Sequence, residues 1–173
     1  MCYNPVVARL TPREEGRLWA VAETVRRAVA QGPYPSPVTT NSMGPLAREG
    51  DAFVLTTPGR RPRFGDVVAA VAGRAAVVHR VIGRRRGFLI LKGDASPRAD
   101  PPVRGAEVLA RATALRKADG RLLSFETRRA RLVAAALAAL SFGENVVGGV
   151  AGPATARRWF YLAARVICLV LPA

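Results

Sequence analysis

The run Asp66–Leu91, DVVAAVAGRAAVVHRVIGRRRGFLIL, decides the fold. It holds three short apolar segments, Asp66–Ala72, Ala75–Ile82 and Gly87–Leu91, rich in Val, Ile, Leu and Phe and interrupted at Gly73 and Gly83. Segments of this length, bounded by glycine and enriched in β-branched residues, predict strands. The same texture extends outward. Upstream lies Asp51–Thr57 (DAFVLTT), and downstream lies Glu107–Leu115 (EVLARATAL). The turn signal Ala118-Asp119-Gly120 then leads into a sixth run, Arg121–Phe125. The centre of the chain is therefore predicted to be mainly β.

Helical patterning flanks this region. In residues 12–31, Leu18, Val21, Ala22, Val25, Ala28 and Val29 recur on one face. Pro12 suits the first turn, Glu14 and Glu15 favour the positive end of the dipole, and Gly32-Pro33 ends the helix. Charges run through the segment, so it reads neither as a secretory signal nor as a membrane span. Residues 32–45, GPYPSPVTTNSMGP, read as a Pro-punctuated loop. After Thr127, residues 132–142 (LVAAALAALSF) read as one helix, 143–153 as a glycine-rich break, and 156–171 as a second helix. Glu144, Asn145 and Gly148-Gly149 argue against a membrane span over 132–152. These two helices are expected to pack on the sheet or lie on a membrane surface.

At 173 residues there is room for one domain with appendages. Half the residues are hydrophobic, too many for a disordered basic tail. The cysteines Cys2 and Cys168 cannot build a disulfide framework or a multi-cysteine zinc site, and one histidine excludes a multi-histidine metal site. No cofactor or metal is implied. The net charge is +15, and 25 of the 27 cationic residues are arginine. That suits phosphates or anionic lipid, but a solvated, arginine-biased surface explains it equally. The Arg-Arg pairs are scattered and do not form one block interleaved with aromatics, which argues against nucleic acid as a partner.

Four segments carry candidate chemistry. They are Asn41-Ser42-Met43-Gly44-Pro45, Arg48-Glu49-Gly50-Asp51, Val77-Val78-His79-Arg80-Val81-Ile82, and Lys92-Gly93-Asp94 with Asp100 six residues on. Each alone has an ordinary structural reading. A serine in a Pro-rich loop is usually a turn residue. A lone histidine in an apolar strand is usually core or edge, and Gly-Asp is usually turn chemistry. Together they supply a hydroxyl nucleophile, a neutral base and a carboxylate to orient that base. By residue type alone the carboxylate is Asp94 or Asp100.

In this order, Ser42-Met43-Gly44-Pro45, Gly50-Asp51, Gly65-Asp66-Val67-Val68, His79-Arg80-Val81 and Lys92-Gly93-Asp94…Asp100 resemble the successive boxes of type I signal peptidases. The likeness is to the archaeal and endoplasmic-reticulum branch, which has histidine where the common bacterial enzymes have a lysine base. It covers about residues 37–115. It implies a coiled β-sheet protease domain over 33–126, with the amphipathic helix in 1–32 and a helical extension in 127–173. It also implies serine endopeptidase activity on signal- or leader-type peptides at small residues. Ser42 would be the nucleophile, His79 the general base and Asp100 the orienting acid, with Asp94 a supporting second carboxylate. The Ser42 amide would hold the oxyanion. The Thr40 hydroxyl would be a second donor there, or else a loop hydroxyl bonded to its own backbone. His79 occupies the base position, and Lys92, in a polar setting beside Gly93 and Asp94, is read as structural. Family members usually carry a transmembrane helix before the serine, whereas 12–31 is charged and amphipathic. A peripheral membrane or cytoplasmic location follows, with lipid contact through 156–171. The alternatives are a non-catalytic peptide- or nucleic-acid-binding relative, and a repressor-like self-cleaving protein.

Overall fold

The structure is a computed structural model, and it describes residues 11–147 and 153–169. The chain opens with helix α1 (Pro12–Gln31), which matches the span read from its periodicity. Thr11 caps it, and Glu14 closes a capping box by accepting from the Thr11 amide at 2.9 Å. Ala22 and Val29 are buried and Leu18 and Val25 pack behind them, but Val21 stays half exposed instead of joining the core.

Seven strands form one sheet: β1 (Tyr34–Pro37), β2 (Ala52–Thr56), β3 (Val67–Ala72), β4 (Ala75–Arg85), β5 (Phe88–Lys92), β6 (Val108–Arg116) and β7 (Leu122–Ser124). Every pairing is antiparallel, in the order β1-β2-β6-β3-β4-β5, with β7 on β6. Six of these strands are those read from the apolar runs, with ends moved by one to three residues. The exception is β1, which lies in the stretch expected to be loop. Pro35 and Pro37 have no N–H to give a ladder, which demotes a strand pattern, yet β1 is the sheet's outermost strand and needs donors on one side only.

All six residues of β3 are buried. Val67, Ala69 and Val71 feed one apolar cluster with Leu109, Leu115 and Phe53, while Val68, Ala70 and Ala72 feed a second with Leu89, Leu91 and Val103. A strand covered on both faces reads as a continuous apolar run because neither face needs polar residues.

Helix α2 (Arg128–Val147) and helix α3 (Pro153–Leu169) follow the sheet. The break expected at 143–153 does not begin at Gly143, because α2 runs on through Glu144 and Asn145. Gly143 packs against the Phe160 ring of α3, and Glu144 is buried, so tertiary contacts hold this last turn helical. Val133, Leu137 and Ala164 join the two helices, and α2 lies so close to the sheet that a Cβ on Gly65 would stand 2.9 Å from the Ala134 backbone. With 37% helix and 30% strand, the molecule is a mixed α/β protein built on an antiparallel sheet. Among the described residues, no helix is long and apolar enough to cross a membrane.

Candidate active site

Ser42 stands in a single 3-10 turn, Asn41–Met43, immediately after β1. Val38 anchors the approach by donating its amide to the Asp51 carbonyl at 2.8 Å, and the buried Met43 side chain pins the turn to the core. Tight turns leave their first amides without internal acceptors, so the Ser42 N–H is free of the turn's own ladder. The following peptide, Gly44-Pro45, is cis.

His79 lies on β4 opposite Val68 of β3 and is 8% exposed. Its Nε2 is 3.1 Å from Ser42 Oγ, and its Nδ1 is 2.6 Å from Asp100 Oδ2. A neutral ring with the proton on Nδ1 donates to the carboxylate and accepts the Ser42 hydroxyl proton at Nε2, the arrangement a serine nucleophile requires. Asp100 is fixed in turn, since its amide donates to the Leu91 carbonyl at 2.8 Å.

Asp94 does something else. Consecutive strand residues point to opposite faces, so Arg80 projects away from His79. Its Nε and Nη2 donate to the two Asp94 carboxylate oxygens at 2.7 and 2.6 Å, and its Nη1 donates to the Gly65 carbonyl at 2.9 Å. Both side chains are about 98% buried or more. Burial works against the Arg80 charge, but the Asp94 carboxylate outweighs it and raises the guanidinium pKa further. The second carboxylate of the loop thus supports the site as half of an interior ion pair.

Lys92 differs from its expected polar setting, because it is fully buried. It sits directly across the strand pair from Arg80, so two interior cations share one face of the sheet. The second counter-charge comes from α2, at a residue read as part of the glycine-rich break: Lys92 Nζ donates to Glu144 Oε2 at 2.7 Å. Lys92 is thus held in an interior ion pair with α2.

The loop between Lys92 and Asp100 meets every member of the site. Ala95 donates its amide to the Ser42 carbonyl at 2.8 Å. Gly93 is pressed so close that a Cβ there would stand 2.6 Å from the Ser42 carbonyl oxygen and 3.0 Å from His79 Nε2. Only glycine fits, a requirement the sequence does not announce beyond its Gly-Asp turn signal. Thr40 Oγ1 lies 3.0 Å from Ser42 Oγ, so this hydroxyl faces the nucleophile itself, unlike a loop hydroxyl turned back on its own backbone. Sequence reasoning missed Arg80, Glu144 and Asn145. An arginine alternating with the histidine in an apolar strand, and two polar residues together in an apolar helix, were the available signals.

An open groove leads to Ser42 and His79. Phe53, Leu55, Ala69, Val78 and Leu109 line it, and Val21 and Val25 of α1 form part of its wall. Ser36 and Pro37 of β1 flank it on one side and Ala76 and Val77 of β4 on the other. Among the described residues β1 ends the sheet and β5 pairs only with Arg80–Arg85, so none of those residues pairs with the strand edge at either border. Among the described residues, no group of three or more His, Cys, Asp or Glu side chains is placed to hold a metal ion. Comparison of the chain with known protein families, with curated proteins and with solved structures finds no match in any of the three.

Proposed function

We propose that this chain is a serine endopeptidase that cleaves signal- or leader-type peptides beside small side chains through an acyl-enzyme, as the resemblance to type I signal peptidases implies. One observation carries the reading: the continuous Ser42–His79–Asp100 hydrogen-bond chain of 3.1 and 2.6 Å at the end of an apolar groove. Ser42 Oγ attacks the scissile carbonyl while His79 Nε2 takes its proton. Asp100 steadies the resulting imidazolium, and the Ser42 amide, with Thr40 beside it, faces the developing oxyanion, where one donor is worth about 2.7–4 kcal/mol. His79 returns the proton to the leaving amine. Water activated by the same ring then releases the acyl group.

The groove's apolar lining, with Phe53, Leu55 and Leu109 beside its valines and alanines, suits apolar substrate side chains, and its two strand edges suit a substrate in extended conformation, whose backbone can add to either edge. The fold is accordingly read as the coiled β-sheet protease domain, with the three helices as additions to it. Contact with a lipid surface is placed on α3, where Leu162, Arg165 and Val166 are exposed.

The test is hydrolysis of leader-type peptides with small residues at the cut. Wild type is expected to cleave, and Ser42→Ala and His79→Ala to lose turnover while remaining folded. Full activity in both variants refutes the assignment. Steeply salt-dependent binding of DNA without hydrolysis would favour the non-catalytic alternative instead.

A further inference from the structure

We infer that α2 is part of the active-site apparatus, and that Asn145 is a positioning residue for the Asp100–His79 bond. This rests on the protease reading for its catalytic meaning, but its structural content stands apart from it. Two adjacent residues of one helical turn grip the acid-bearing loop at both ends. Glu144 holds the entrance through Lys92 Nζ at 2.7 Å, and Asn145 Oδ1 accepts the amide of Ala99, the residue before Asp100, at 3.2 Å. Between those points the loop gives Asp94 to Arg80 and the Ala95 amide to the Ser42 carbonyl, and it brings Gly93 so near His79 Nε2 that a Cβ there would stand 3.0 Å from it.

The loop has little else to hold its far end in register. Asp100 is tied by its own amide to Leu91, and Val103 by a backbone bridge to Leu89. Removing the Asn145 acceptor leaves the Ala99 amide unpaired at a part-buried position, and the peptide that leads into Asp100 loses its anchor. The carboxylate then swings through the small angle that a relay of 2.6 Å cannot absorb. A helix expected to be an appendage thus sets the geometry of the acid.

The experiment compares Asn145→Leu with Asn145→Asp, which keeps an oxygen acceptor at the same place. Each is followed by peptide hydrolysis, by thermal unfolding and by the NMR signal of the His79 Nδ1 proton. For Asn145→Leu, kcat is expected to fall on the order of 10²-fold at unchanged KM, the scale on which a misplacement of about 1 Å acts. The Nδ1 proton signal should weaken through faster exchange, while unfolding remains cooperative. Asn145→Asp is expected to restore both. Wild-type kcat and an unchanged Nδ1 signal in Asn145→Leu overturn the inference, as does equal damage in Asn145→Asp. If the wild type hydrolyses no peptide, the protease reading fails, and the Nδ1 proton alone still decides whether Asn145 holds the carboxylate in place.

Discussion

The carboxylates divide by their neighbours. Asp51, Asp66 and Asp94 each follow a glycine, and each is neutralised by a cation: Lys117 at 2.5 Å, Arg60 at 2.7 Å and Arg80 at 2.6 Å. Asp100 follows Ala99 and meets the histidine. Residue type alone leaves both Asp94 and Asp100 as candidates in one polar loop, and only the family resemblance singles out Asp100, because the loop's path depends on which face of β4 each must reach. The alternation of His79 and Arg80 settles it, since the buried guanidinium claims Asp94. The two substitutions should therefore fail in different ways. Asp100→Asn is expected to lower kcat on the order of 10⁴-fold with stability little changed, the scale on which a mis-set tautomer acts in a serine triad. Asp94→Asn is expected to cost about 3–5 kcal/mol of stability by stranding a buried cation. Kinetics and denaturant unfolding on both proteins separate these outcomes, and the reverse pattern would reassign the acid.

Among the elements, those whose reasons are local were the legible ones. α1 announces itself by periodicity and by Thr11, Pro12 and Glu14 at its start. β1 and the last turn of α2 were not legible, because their reasons lie elsewhere in the chain: a free edge tolerates the prolines, and Phe160 and Lys92 give Gly143 and Glu144 their contacts. The turn at Gly50-Asp51 is likewise held from a distance. Burial opposes the Asp51 charge, but the Lys117 ammonium and the amides of Arg48 and Ala118 outweigh it and hold the carboxyl below its ordinary range. A depressed carboxyl contributes stability above its unfolded pKa of roughly 4 and loses it as pH falls through the folded value. Asp51→Asn is accordingly expected to cost about 1–3 kcal/mol at pH 7, with the gap to wild type closing below about pH 4. Urea titrations at pH 7 and pH 3 check this, and a gap that persists at pH 3 would contradict it. Cys168, partly buried on α3, has its thiol pushed up to about 11 by burial, with Asp94 adding to the effect. It stays a protonated thiol near neutrality, outside the site's chemistry.

For the whole molecule, the +15 charge bears on placement and not on the reaction. Several arginines are spent on the protein itself: the buried Arg80 and the partly exposed Arg60 on carboxylates, Arg111 on Glu126, and the exposed Arg84 on the Pro62 carbonyl. Among the described residues other arginines are exposed, Arg165 of α3 with them, and α3 also exposes Leu162 and Val166. The protein is expected to sediment with vesicles containing anionic lipid at low salt and to leave them as salt rises. Leu162→Glu with Val166→Glu should weaken that binding without reducing peptide hydrolysis in solution. Equal binding by wild type and the double variant would remove α3 from the contact. The strand order carries a last consequence, and it concerns time. The Ser42 turn sits between β1 and β2, His79 belongs to β4, and Asp100 lies in the loop that follows β5. The two groups become one sheet only when β6, made later than all of them, slips between β2 and β3. A chain emerging during synthesis therefore holds its serine and its histidine in separate halves. The serine and the histidine therefore meet only after the strand that completes the sheet has been made.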